Sequence, residues 1–152
     1  MIGAIAAGNC CVVKPSEISH HTSQVIHDLV AKYLDNNAIA VWQGGVKETT
    51  ELLVEKYDHI LFTGSEFVGK IIMAAAAKHL TPVTMECGGC CPVYVDEKTN
   101  MKVTCKRIIF GKLLNSGQTC IAPQYVLLHN KVKDKFLAQF KKTLKALYTS
   151  SP

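Results

Sequence analysis

Arginine is almost missing from this chain: Arg107 is the only one, and Trp42 is the only tryptophan. A nucleic-acid surface wants arginine together with exposed aromatics, so that class of partner is set aside despite a formal net charge of +5. Long apolar runs are missing too. The longest, Ile71 to Ala77, is too short to span a bilayer. There is no internal repeat and no low-complexity linker. The apolar start, Met1 to Gly8, lacks the basic leader of a signal peptide and reads as the tail of a packed helix. Cys87, Cys90 and Cys91 form a C-x-x-C-C cluster, but no second ligand pair follows, so no metal is expected. Cys87 and Cys90 have the spacing of a thioredoxin-type redox pair without its usual place at a helix start. The seven cysteines are odd in number and irregularly spaced, which argues against a disulfide framework. Reduced thiols in a cytoplasmic setting fit better. The six histidines are scattered, apart from His20-His21, and nominate no site.

What is present is a chain of 152 residues, 48% hydrophobic, long enough for one domain or slightly more. Asn9 to Lys14 reads as a strand ended by Pro15. Ser19 is placed to cap a helix in which Val25, Ile26, Leu29, Val30, Tyr33 and Leu34 recur near a period of 3.6. Asp35-Asn36-Asn37 breaks it. Ala38 to Trp42 is a second strand, Glu48 to Lys56 a short helix, and His59 to Thr63 a third strand. A helix over Phe67 to His79 follows, then strands at Pro82 to Cys87 and Pro92 to Val95. A helix from Met101 to Leu114, a strand at Tyr125 to Leu128 and a helix from Lys131 to Tyr148 complete the chain. In the last helix Lys131, Lys133, Lys135, Lys141, Lys142 and Lys145 alternate with apolar residues, as on the solvated face of an amphipathic helix. Strands alternating with helices predict an α/β fold with crossover units and a parallel sheet. Ligands in such sheets sit beyond the carboxyl ends of the strands. Lys14 to Glu17, Thr63 to Ser65 and Glu86 to Gly89 fall at such ends, and Gly88-Gly89 is a candidate hinge.

Asn115-Ser116-Gly117-Gln118-Thr119-Cys120-Ile121-Ala122-Pro123 joins a helix to a strand. A cysteine on such a turn can expose its sulfur while its backbone is held. Thiols react as thiolates, so an activator or base is needed, and Glu86 is the best placed. From the residues alone, a half-buried structural thiol describes Cys120 better than a nucleophile does. Phe62 to Gly69 is a strand, a Gly turn and a helix start, but Glu66 stands where a dinucleotide fingerprint needs its middle glycine. An ordinary turn is the simpler reading there. Lys14 and Glu17, three residues apart, fit a surface ion pair or a pair of contacts to sugar hydroxyls.

Several segments together resemble the aldehyde dehydrogenase family, most closely its class 3 and fatty aldehyde branch. They are Gly3 to Asn9 with Val13 to Glu17, Gly44-Gly45-Val46 with Glu48 to Leu53, Asp58 to Ser65, Val68 to Met73, Ala75 to Thr84, and Asn115-x-Gly117 to Pro123. The resemblance implies a Rossmann-like cofactor domain over residues 1–88 and the start of a second α/β, catalytic domain over 89–152. It implies that Cys120 attacks an aldehyde, medium- or long-chain or aromatic, and that a thioester follows by way of a thiohemiacetal. Glu86 would activate the water that hydrolyses the thioester. NAD or NADP would be held by Lys14 and Glu17 at the adenosine ribose, Gly64 and Ser65 beside the pyrophosphate, and Val68 near the adenine, with Gly69 also counted among the cofactor-binding residues. A carboxylate at Glu17 leans toward NAD.

Three departures stand out. Gly88-Gly89 is followed by Cys90 where the family usually has lysine. Glu66 brings a negative charge to a helix start that would face phosphate. The family's oxyanion-stabilising asparagine, its nicotinamide-ribose glutamate and its dimerisation arm lie outside these 152 residues. The expectation is little turnover by the chain alone. The alternative to the enzyme is a truncated, non-catalytic product that binds nucleotide weakly or associates with a full-length subunit; a homo-oligomer is the other partner expected, with any membrane anchor of the parent lying elsewhere.

Overall fold

The computed structural model describes residues 1–148; Thr149 to Pro152, with the end of the expected catalytic segment, lie outside the described residues. The order is α1 (Ile2–Ala6), β1 (Cys11–Val13), α2 (His20–Tyr33), β2 (Ile39–Val41), α3 (Val46–Leu52), β3 (Ile60–Thr63) and α4 (Glu66–Ala77). Then come β4 (Val83–Glu86), β5 (Cys91–Val95), α5 (Met101–Leu113), β6 (Pro123–Leu128) and α6 (Lys133–Leu147). The fold is α/β. Strands form three pairs, β1 with β2, β3 with β4 and β5 with β6. The first and last pairs are parallel.

The chain divides into two compact units. The first holds Met1–Phe62 and Phe67–Thr84, and the second holds Thr63–Glu66 and the chain from Met85 onward. In the first, Ile39 of β2 and Val30 of α2 are buried, as are Gly69, Ile72 and Ala76 along one face of α4. The α2 entry differs from the expected cap. Ser16 receives the Ile18 N–H into its side chain, and Ser19 makes no side-chain cap bond. Ser23 Oγ donates to Ser16 C=O at 2.7 Å, which closes the turn from the far side. At α3 the starting bond comes from Glu48, whose carboxylate accepts the Gly45 N–H at 2.8 Å. Thr49 and Thr50 return their hydroxyls to carbonyls one turn back. The α1 helix forms but buries none of its residues.

The second unit has the denser core. Val95 of β5, Met101, Cys105 and Ile108 of α5, and Val132 and Phe136 by α6 pack together. Val93, Val126, Leu128 and Phe140 flank them. Side chains on β5 alternate, with Val93 and Val95 inward and Tyr94 outward, so two helices cover one face of the pair. The six lysines of the last helical stretch are exposed, as its amphipathic pattern predicts. Lys131 reaches Glu97 at 3.1 Å.

The end of α4 is strained. Thr81 N–H donates to Ala76 C=O at 3.1 Å and Leu80 N–H to Ala77 C=O at 3.2 Å. This is the paired-bond helix stop that places a left-handed residue just past the helix, and here that residue is Leu80, with φ 56°. Leu80 is also 90% exposed, so little packing is lost with its side chain. Leu80→Gly should therefore stabilise the first unit by about 0.5–1 kcal/mol, read as a higher urea midpoint at unchanged slope. A lower midpoint would contradict this.

Candidate active site

The Cys120 turn is built by constraint on both sides. On the α5 side, Asn115 (φ 51°), Ser116 (φ 56°) and Gly117 (φ 75°) are consecutive left-handed residues. Glycine takes such angles freely, asparagine tolerates them, and serine does so at a cost of order 1 kcal/mol or more. A Cβ on Gly117 would lie 2.9 Å from the Lys112 carbonyl oxygen, so glycine is required for space as well. The Asn115 carbonyl accepts from Gln118 N–H at 3.0 Å, and the Asn115 side-chain amide donates to Gln118 C=O at 3.1 Å. On the β6 side, Ala122 N–H donates to Thr119 C=O at 2.9 Å, closing a turn with Cys120 and Ile121 at its tip. Ala122 is 1% exposed and anchors that turn, while Cys120 and Ile121 are exposed.

A further tether comes from β5. Cys91 pairs with Pro123 in the β5–β6 ladder, and its Sγ–H donates to Cys120 C=O at 3.2 Å. The residue pattern did not single out Cys91 as a neighbour of Cys120. Parallel pairing of β5 and β6 puts Cys91 opposite Pro123, three residues past Cys120.

Glu86 ends β4, is exposed and belongs to the same unit as Cys120. Its carbonyl accepts the Gly64 N–H at 3.0 Å. That amide is therefore committed to the strand pairing and is not a donor for a phosphate. Ser65 follows in the same short stretch, and Glu66 opens α4 with a carboxylate in its first turn. Val68 is part-exposed and Gly69 buried on α4, both in the first unit. All seven cysteines are free thiols. Burial pushes the Cys105 thiol up, and its sulfur lies 3.9 Å from the Phe136 carbonyl oxygen, inside the core.

Lys14 and Glu17 come together in the first unit. Lys14 Nζ donates to Glu17 Oε2 at 2.8 Å and to the Gly44 carbonyl at 3.1 Å. These bonds tie the segment after β1 to the segment after β2, and they use two of the three N–H groups of an ammonium. The Gly44 partner was not foreseen. It follows from the parallel β1–β2 register, which continues as Trp42 N–H donates to Val13 C=O at 2.9 Å. The Lys14 hydrogen bond, then a backbone N–H, then the Lys14 charge hold the Glu17 carboxyl below the usual glutamate range. A carboxyl lowered in the folded state adds stability above its unfolded value and loses it as pH falls through the folded one. An NMR titration should place the Glu17 midpoint below that of an exposed glutamate, and Lys14→Met should raise it. An unchanged midpoint in the variant would contradict the pairing.

The model of the aldehyde dehydrogenase family matches residues 1–152. Over 148 residues the chain is 54% identical to the mouse protein named "Aldehyde dehydrogenase, dimeric NADP-preferring", covering 97% of this chain and 33% of that one. It is 50% identical over the same length to mouse "Aldehyde dehydrogenase family 3 member A2", covering 97% of this chain and 31% of that one. Among solved structures, the substrate-bound state of AldH from Staphylococcus aureus superposes with a TM-score of 0.83 at 48% identity. That match covers 99% of this chain and 33% of the other. The chain thus spans about a third of the length of the curated relatives it matches. On the full-length match of the family model and on this likeness of fold, the chain belongs to the aldehyde dehydrogenase family.

Proposed function

We propose that this chain carries the thiol and the acid of an NAD(P)-dependent aldehyde dehydrogenase, which oxidises an aldehyde to a carboxylic acid. The observation that carries the reading is Cys120 itself, exposed at the tip of a turn whose backbone is hydrogen-bonded on three sides. A fixed backbone limits where the sulfur can travel, and exposure admits a substrate. The Cys120 sulfur attacks the aldehyde carbon and forms a thiohemiacetal, which is oxidised to a thioester. Glu86 takes a proton from the water that hydrolyses the thioester. The substrate is a medium- or long-chain or aromatic aldehyde, in keeping with the class 3 resemblance.

The nicotinamide cofactor, when bound, supplies the hydride acceptor. The residues present fit one in part. Lys14 offers N–H donors and Glu17 a carboxylate beyond two adjacent strand ends, a donor and acceptor set suited to ribose hydroxyls. Gly64 and Ser65 are assigned to the pyrophosphate turn and Val68 to the adenine, with Gly69 among the cofactor-binding residues. The Glu17 carboxylate disfavours a 2′-phosphate and leans toward NAD, whereas the mouse relative is named as NADP-preferring. We place the cofactor domain at residues 1–88 and the start of the catalytic domain at 89–152. A thiol-rich chain without disulfides suits a reducing, cytoplasmic compartment.

A second reading has its own support. Ile18, Phe67 and Leu80 are among many large apolar side chains left more than half exposed. Such surfaces favour pairing with another copy or with a longer subunit over activity in isolation.

The test is protection of Cys120. Iodoacetamide labelling of the chain, followed by peptide mass spectrometry, should be slowed several-fold at Cys120 by a medium-chain aldehyde and left unchanged at Cys10. Equal labelling of Cys120 with and without aldehyde would overturn the assignment. Size-exclusion chromatography of the chain mixed with an intact relative tests the second reading, which predicts co-elution with the longer subunit; separate peaks would contradict it.

A further inference from the structure

We propose that Cys91 is the resolving thiol for Cys120, so that peroxide closes the two into a reversible disulfide instead of destroying the nucleophile. The proposal rests on the reading of Cys120 as a reactive thiol and adds a regulatory chemistry to that site.

The observation is positional. The Cys91 sulfur sits 3.2 Å from the Cys120 carbonyl oxygen. A carbonyl oxygen lies about 2.4 Å from its own Cα, so this sulfur is within about 5.6 Å of the Cys120 Cα. The bond forms by rotating the two side chains and shifting the turn tip toward β5, and two features permit that. Cys120 is exposed at a turn tip. Cys91 is the first residue of β5, and the ladder register slips between Cys91 and Pro92. Pairing at that end is therefore looser than at Val93 to Val95. Cys91 is the cysteine hydrogen-bonded to the Cys120 backbone. Cys90 precedes the strand, and Cys87 follows β4, before the two glycines. Cys105 is sealed in the core.

The chemistry balances with a hydroperoxide as oxidant. The Cys120 thiolate attacks one oxygen of hydrogen peroxide; an S–O bond forms, the O–O bond breaks, and hydroxide leaves. Cys120 is now a sulfenic acid, oxidised by two electrons, and the peroxide has been reduced. Cys91 loses its proton and attacks the Cys120 sulfur. The S–S bond forms, the S–O bond breaks, and the departing hydroxide takes up the proton as water. A dithiol reductant returns both thiols. While closed, the pair cannot attack an aldehyde. Without Cys91, the sulfenic acid stays open to a second peroxide and proceeds to sulfinic acid, which thiols do not reverse.

The experiment uses the 152-residue chain, hydrogen peroxide and non-reducing peptide mapping. A disulfide linking the Cys120 peptide to the Cys91 peptide should be the main product and should vanish with dithiothreitol. Because Cys87, Cys90 and Cys91 share one tryptic peptide, the Cys87→Ser/Cys90→Ser variant should keep the cross-link. Cys91→Ser should lower it at least about ten-fold, with Cys120 recovered as sulfinic acid instead. Loss of the cross-link in Cys87→Ser/Cys90→Ser, or equal sulfinic acid at Cys120 with and without Cys91, would overturn the proposal. Fragmentation of the cross-linked wild-type peptide assigns the bond among Cys87, Cys90 and Cys91, so the test stands if a variant fails to fold; a bond to Cys87 or Cys90 as the main product would overturn the proposal. Aldehyde protection of Cys120 reads the enzymatic assignment separately. Protection without a Cys91 cross-link sinks only this proposal; a cross-link without protection sinks only that assignment.

Discussion

The second unit turns on a backbone that has nowhere else to go at Asn115 to Ala122. The α5 helix must end, the chain must reverse through three left-handed residues, and β6 must start in register with β5. Each demand removes freedom from the residue between them. The left-handed run costs free energy that the packed α5, α6 and β5–β6 core repays, since Val95, Cys105 and Phe136 are almost fully buried a short distance along the chain on either side. Cys120 inherits a fixed position from that core without being inside it. A buried thiol such as Cys105 shows the contrast: it is held at least as firmly, but burial disfavours its thiolate and no substrate reaches it.

The first unit solves a different problem by similar means. Its strands are three or four residues long, too short to define a site by ladder bonds alone. Lys14 adds what the ladder lacks, bridging from the end of β1 to the Gly44 carbonyl beyond β2 and pairing with Glu17 on the way. The ion pair is exposed, so its worth lies in orienting two polar groups more than in stability. Strand ends with polar groups so oriented are where ligands of parallel α/β sheets collect.

Much of this was legible in the residues. The hydrophobic periods gave the strands and helices nearly where they occur, because continuous apolar runs such as Ile60 to Thr63 and amphipathic stretches such as Lys133 to Leu147 have few other ways to fold. The cysteine turn was visible as Asn115-x-Gly117 before a strand, although pattern alone favoured a structural thiol over the exposed one found. What escaped was decided by pairing across the sequence. The hydrogen bond from Cys91 to Cys120 depends on the register of two strands 32 positions apart. The left-handed Ser116 depends on the turn as a whole, since serine has no local preference for that conformation. The α2 cap was misread for the same reason: Ser16 took the role expected of Ser19 because the turn geometry, not the residue type, chose between two eligible side chains.

The central claim is that the held turn presents a sulfur able to add to an aldehyde carbon. The most direct measurement is carbon NMR of the chain mixed with an aldehyde labelled with carbon-13 at its carbonyl. The account predicts a new tetrahedral-carbon signal from a sulfur adduct, lost in Cys120→Ser and kept in Cys10→Ser. A signal that survives Cys120→Ser, or none in the wild-type chain, would contradict it.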